Sequence, residues 1–177
     1  DNIVAIYGIE RLKGEKPTAQ SEFTLSMPRS SDTYLPKGLI LRSENGEIAS
    51  LKSEVVIRAN ELKAVGVIIL DEFTKTSKAK CEYIQTPLPF VLKAKQLSEF
   101  EGGAERESDD RLRERAVLSL ERFSTAGSAK AYTYQTLSAN AKVIECSVLN
   151  GGAGVVQIYL KTTDMSEETR KDVESFL

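Results

Sequence analysis

The side chains in this sequence best suited to chemistry are carboxylates. Glu105, Glu107, Asp109 and Asp110 fall within six residues of one another. A pair of carboxyl groups can hydrolyse a glycosidic bond, one as acid and the other as base or nucleophile. The acid must sit in an apolar pocket that raises its pKa. Here the surroundings are the opposite: nine of the eleven residues from Glu105 to Arg115 are charged, and arginine is interleaved with the acids. Such a run is expected to be exposed. The chain also has no Trp to form a sugar platform. A solvated helix face or a polar subunit interface fits the charged run better than an active site.

Other catalytic designs are excluded by composition. There is no histidine, which removes the commonest general base and metal ligand. Neither a Ser-His-Asp nor a Cys-His arrangement can be assembled within the chain. Cys81 and Cys146 stand 65 positions apart, in no metal-ligand spacing. They read as small buried hydrophobes, and no metal or cofactor is expected. The run Asn150-Gly151-Gly152-Ala153-Gly154 is rich in glycine, but a phosphate-binding loop opens a helix and here a strand pattern follows. It reads as a hairpin loop. The net charge of -2 gives no reason to expect nucleic acid or an anionic membrane as a partner. The longest apolar run, Ala64 to Leu70, is too short for a membrane helix.

The elements that position these residues change character near residue 98. Before it the pattern is β. Phe23, Leu25 and Met27 alternate with Thr24 and Ser26. Asn45-Gly46 between two short alternating runs predicts a type I′ hairpin, with Glu44 and Glu47 facing each other beside the turn. Further strands are expected at 55–57, 65–70, 80–86 and 90–94, the last held to an edge or a strand start by Pro87 and Pro89. The opening residues read as the last turns of a helix stopped by Gly8. The chain begins without Met, so the start of that helix is expected upstream, in a longer protein.

After residue 108 the pattern is helical. Ser108 is the expected N-cap, with Asp109 and Asp110 in the first turn where the helix dipole favours negative charge. Leu112, Ala116, Leu120 and Phe123 form one narrow apolar stripe. Asp109 and Arg113 are spaced for an i,i+4 pair, whereas Arg111 and Arg115 repel. A turn at 124–128 leads to a second helix from Ala129 to Ala139, capped by Ser128. Two strands then flank the glycine-rich loop, and Ser166 caps a last helix that is expected to be cut short of its natural end.

The predicted fold class is α+β: a β-rich sandwich or small-barrel module, then a two-helix segment and a partial α/β sandwich. The expected organisation is the end of an N-terminal helix at 1–10, a β-rich module at 11–97, a linker at 98–108, and a helical plus α/β module at 109–177.

These residues carry a resemblance. Gly102, Gly103, Glu107, Ser108, Asp109, Leu112, Arg113 and Arg115 spell a Gly-Gly, an acidic spacer, Glu-Ser-Asp and a Leu-Arg-x-Arg helix. Gly127, Ser128 and Tyr132 follow, then Gly154, Val156, Ile158 and Tyr159, with Pro36, Gly38 and Gly46 upstream. The sequence resembles the phage baseplate J-like family, the tail baseplate wedge proteins of contractile phages, of Mu-like or prophage type. The resemblance runs from about Pro17 onward. Family members are longer at both ends.

The resemblance implies a structural protein and not an enzyme. It would contact neighbouring wedge and hub proteins, associate with its own copies in a ring when intact, and lie in the virion tail baseplate after assembly in the host cytoplasm. Nucleic acid, membrane and small-molecule substrate are not expected. Arg111, Arg113, Glu114 and Arg115 are the expected interface residues, and Gly102-Gly103 the expected hinge. The alternatives are a tail-associated cell-wall hydrolase and a baseplate subunit of a bacterial contractile injection system.

Overall fold

A computed structural model describes residues 2–6, 8–123, 127–164 and 166–177. The chain forms two compact units, Lys16–Gly103 and a second made of Asp1–Glu15 with Ala104–Leu177. Taken as a whole, it is α+β.

The first unit is β. Its strands are β1 (Thr18–Leu25), β2 (Thr33–Leu35), β3 (Ile40–Arg42), β4 (Ile48–Leu51), β5 (Val55–Ile57), β6 (Lys63–Leu70), β7 (Tyr83–Ile84) and β8 (Val91–Gln96). Six of them form one antiparallel sheet in the order β7-β3-β4-β6-β1-β8, and β2 pairs with β5. Period-two alternation aims Ala19, Ser21, Phe23 and Leu25 of β1 inward. Phe23 lies opposite Ala64 of β6 and Ala94 of β8, large against small. Around it are Leu35, Leu41, Leu51, Ile57, Ile68, Leu70 and Phe100, all essentially inaccessible. Each such side chain contributes roughly 1.5–3 kcal/mol by leaving water.

The sheet curls until its two end strands approach, giving a nearly closed barrel. Side chains bridge the remaining gap. Gln96 donates its backbone N–H to Glu82 Oε1 at 3.0 Å. Its amide oxygen accepts from Cys81 N at 3.0 Å, and its amide nitrogen donates to the carbonyls of Ala79 (3.0 Å) and Ser98 (2.8 Å). The expected strand at 80–86 is therefore only Tyr83–Ile84. β8 is the edge strand that Pro87 and Pro89 imply.

Two local expectations are corrected. The alternation of Phe23 and Leu25 does not extend to Met27, which lies past the end of β1 and is exposed. The hairpin at Asn45-Gly46 exists, but not as a type I′ turn. Only Gly46 has positive φ (98°), and the loop closes through Gly46 N to Ser43 O (3.3 Å) and Ser43 N to Glu47 O (2.9 Å). This longer loop separates the two acids. Glu47 accepts from the Ser43 hydroxyl, and Glu44 accepts from Tyr83 Oη at 3.0 Å.

The second unit contains α1 (Asn2–Ala5), α2 (Asp109–Leu118), a 3-10 turn (Ser119–Phe123), α3 (Ala129–Ala139), the hairpin β9 (Val143–Gly152) and β10 (Val155–Thr162), and α4 (Glu167–Phe176). Ser108, Ser128 and Ser166 cap α2, α3 and α4, each hydroxyl accepting the third residue's N–H. Thr169 completes the last cap in place of an acid, with its hydroxyl 2.9 Å from Ser166 Oγ. Leu137, Val143 and Val173 form a small core with Leu118, Ala139 and Cys146. No described helix is long and apolar enough to cross a membrane.

The apolar stripe of α2 also changes. Leu112 is buried, but Leu120 is 63% exposed, and the residues buried with Leu112 are Arg115 and Ser119. The backbone tightens to a 3-10 turn at Ser119, which rotates Leu120 away from the helical repeat. The Phe123 side chain and the turn residues 124–126 lie outside the described residues. In the stretch expected as a linker, 98–108, Phe100, Gly103, Ala104 and Glu107 are buried, and Phe100, Glu101 and Ala104 form β-bridges. Residues 11–15, expected in the β-rich module, belong to the second unit.

Candidate functional site

The charged segment folds around Glu107. Its side chain has no exposure, and Arg115 meets it with two hydrogen bonds, Nε to Oε1 at 2.7 Å and Nη2 to Oε2 at 2.8 Å. Leu12 N donates to Oε2 at 3.0 Å. Arg115 also donates to the Glu10 carbonyl at 2.7 Å and to Ser138 Oγ at 3.1 Å. Arg11 donates to the Glu107 carbonyl at 2.7 Å and to Asp109 Oδ1 at 2.6 Å. Glu15 and Ala104 exchange backbone hydrogen bonds at 2.9 Å. Residues 10–15 are thus held against 104–109 by charge-assisted and backbone hydrogen bonds.

The four expected interface residues divide. Arg115 is buried at 3% exposure, and its donors are engaged inside its own unit. Arg111 is mostly covered. It donates to the carbonyls of Leu137 (3.3 Å) and Ala141 (3.1 Å), at the C-terminal end of α3 where a cation is favoured. Glu107 lies 3.8 Å from Arg111 Nε and offsets the repulsion expected between Arg111 and Arg115. Arg113 and Glu114 face solvent. Arg113 pairs with Asp110 at 2.6 Å, not with Asp109, which Arg11 has taken. Val117, one turn on, is 69% exposed.

The carboxylates are not arranged as a hydrolytic pair. Glu107 is ion-paired, Glu105 is exposed and Asp110 is bound to Arg113. The hydrogen bond and charge of Arg11 hold Asp109 below the usual aspartate pKa, the wrong direction for a general acid. A second acidic group lines an open cleft of about 660 Å³ on the β unit, with Glu44, Glu47 and Glu82 beside Lys78, Lys80 and Tyr83. Hydrogen bonding from Ser43 holds Glu47 low as well. No cluster of His, Cys, Asp and Glu suited to a metal occurs among the described residues.

The two hinge glycines differ. Gly102 has φ of 77° and open space where a Cβ would stand. Gly103 is packed: a Cβ would collide with the Thr74 carbonyl oxygen and lie 2.8 Å from Pro17 N, while its own N–H bonds Lys75 O at 3.2 Å. Sequence reading missed Gly14, whose φ is 81° and whose Cβ would lie 2.6 Å from Ala104 O. It also missed Arg11 and the burial of Glu107. No local pattern marks these contacts, because their partners are about a hundred residues apart in sequence.

Among solved structures, the chain is similar to one in the cryo-EM structure of the anti-feeding prophage baseplate, 6-fold symmetrised. The TM-score is 0.51 with 10% sequence identity, and the match covers 80% of this chain and 46% of that one. At this identity the likeness speaks for the fold alone, and this chain spans less than half the length of that baseplate chain. No family model and no curated protein matches the sequence.

Proposed function

We propose that this chain is a structural component of a contractile-tail baseplate, a wedge subunit of the J-like type that acts in assembly and tail contraction without catalysis. The baseplate-type fold over 80% of the chain carries the reading. The run from Gly102 to Arg115, which resembles the J-like family, supports it. The acids of the charged segment support a non-catalytic role, since they are paired with arginine or exposed. A baseplate subunit of a bacterial injection system is the second reading, favoured by the prophage origin of the similar structure. A wall hydrolase has no comparable support.

In this reading the partners are neighbouring wedge and hub proteins and other copies of the chain in a ring. The location is the virion tail baseplate, after assembly in the host cytoplasm. The exposed pair Arg113 and Glu114 meets a neighbour, while Arg111 and Arg115 keep the helix in place behind it. Rigid modules joined at a few free torsions let a ring widen without loss of their cores. Gly102 is the freer of the two hinge glycines.

The deciding experiment is antibody labelling of purified particles viewed by electron microscopy. Label at the distal end of the tail, below the sheath, is the expected result. Protein left soluble in the lysate, with unlabelled particles, would overturn the reading.

A further inference from the structure

The sheet of the second unit has an open edge along β10. β9 and β10 pair only with each other, and α3 packs on β9. Among the described residues β10 makes no backbone hydrogen bond except to β9. Alternate residues along its outer side therefore present an unpaired N–H and C=O. Natural edge strands are guarded by charges, by proline or by a covering element. β10 has no proline, and its one charged residue, Lys161, is bound to Glu145 at 3.1 Å. Val156, Tyr159 and Leu160 are 44%, 58% and 36% exposed. Irregular pairing falls at Val155/Val156 and Lys161/Thr162, so the ladder between them is regular.

Alternation sorts the side chains of β10. Leu160 lies opposite Cys146, which packs on the small core, so Val156, Ile158 and Leu160 share the core-side face. Gln157 and Tyr159 take the other face. A cleft of about 220 Å³ adjoins Leu160 and Thr162 and is completed by Ser166, Thr169 and Arg170 at the start of α4. No described β9 residue lines it, so it opens on the free side of β10. The hairpin tip, Gly151 to Gly154, carries no side chain larger than a methyl.

We propose that a second copy of this chain docks here, its β10 pairing antiparallel with β10 about a two-fold axis at Ile158. Two observations select this occupant. A row of unpaired backbone groups is matched by another extended strand, not by a helix or a lipid. The edge also has no unpaired charge, so the strand that fits is neutral with apolar residues at alternate positions, as β10 itself is. In the two-fold register Ile158 meets its own copy, Val156 meets Leu160, Gln157 meets Tyr159 and Lys161 meets Val155, so no like charges are opposed. The same register brings Val156 of the second copy to Leu160 beside the cleft. It sets Gly154 of the second copy, without a side chain, opposite Thr162 near the start of α4. The result is a four-stranded antiparallel sheet, and a two-fold contact closes at the dimer. One strand ladder is smaller than the ~1,600 Å² of a stable interface, so the dimer is reversible. The contact needs only the chain itself and does not depend on the baseplate reading.

Sedimentation velocity of the purified chain over a concentration series should show a monomer–dimer equilibrium. Val156→Lys places a charge against Leu160 of the other copy and should raise the dimer Kd at least about tenfold. Val156 is exposed in the single chain, so the Tm of this variant at low concentration should match that of the parent. In a Cys146→Ala background, Ile158→Cys should form an intermolecular disulfide under mild oxidation, because the axis brings this residue to its own copy. Val155→Cys is the control: it lies three residues from the axis on each side, so its two copies stand roughly 20 Å apart and should cross-link far less. A monomer at every soluble concentration, species larger than a dimer, a Val156→Lys variant that dimerises as well as the parent, or cross-linking of Val155→Cys as readily as Ile158→Cys would each overturn the proposal.

Discussion

Glu107 and Arg115 lie eight residues apart in a segment that reads as a solvated charge run, yet they form a buried ion pair with two hydrogen bonds of 2.7 and 2.8 Å. The pair is also where the N-terminal residues join their unit, through Leu12 N and the Glu10 carbonyl. Charge here acts in the interior, and of the four residues expected at an interface Arg113 and Glu114 are the two that are exposed.

Removing both members of this pair should cost less than the two single losses added together. Arg115→Met leaves a buried carboxylate without its cation, a loss of about 3–5 kcal/mol for that unit. Glu107→Gln combined with Arg115→Met should cost less than the sum of the single changes by at least ~1 kcal/mol. A urea-denaturation double-mutant cycle, with a probe in the second unit, measures this. Additive losses would show that the two side chains act separately.

Charge reversal at the surface should spare the fold. Arg113→Glu with Glu114→Arg touches no buried partner and should change stability by no more than about 0.5 kcal/mol. Under the assembly reading the same double variant fails to enter particles. Normal incorporation, scored by particle yield and composition, would remove these two residues from the interface. Arg115 does not belong in this test, because its loss destabilises the unit directly.

The glycines should rank by the space around them. Gly102→Ala meets only the left-handed backbone penalty, about 1–2 kcal/mol. Gly103→Ala forces a Cβ against backbone atoms, and Gly14→Ala combines overlap with positive φ. Both should lower Tm further than Gly102→Ala does. Equal Tm values for all three variants would mean that the close approaches relax without cost.

Acid should loosen the second unit through Asp164. Its burial opposes ionisation, but the hydrogen bond and charge of Lys142, with hydrogen bonds from Thr169 and Ser166, outweigh that and hold its pKa below the usual aspartate value. A depressed carboxylate contributes stability above its unfolded pKa, about 3.9, and loses that contribution as pH falls through its folded value. Urea midpoints followed from pH 6 down to 2 should therefore fall more steeply for the parent chain than for Asp164→Asn. Parallel curves would mean that the contact with Lys142 adds nothing to stability.

Much of the architecture is legible in the sequence because its signals are local. Ser108, Ser128 and Ser166 cap the helices they precede. The prolines at 87 and 89 place β8 at an edge, and period-two alternation picks the inward side chains of β1. Each of these depends on a residue's own dihedral preferences or on neighbours within one turn of chain. Where a local rule met a long-range contact, the contact prevailed. Asp109 is spaced for Arg113, yet its hydrogen bond comes from Arg11, 98 positions away.

The sequence by itself determined the starts of α2, α3 and α4 and the places of several strands, though not β2, and that no histidine-based or cysteine-rich site can be built within this chain. Only the tertiary structure decided that Glu107 and Arg115 are buried and that Gln96 bridges the ends of the barrel. The physical reason is distance along the chain. Capping and periodicity are settled within a few residues, but burial of a charge is tolerable only where partners such as the Glu10 carbonyl and Leu12 N–H, about a hundred residues away, come to meet it.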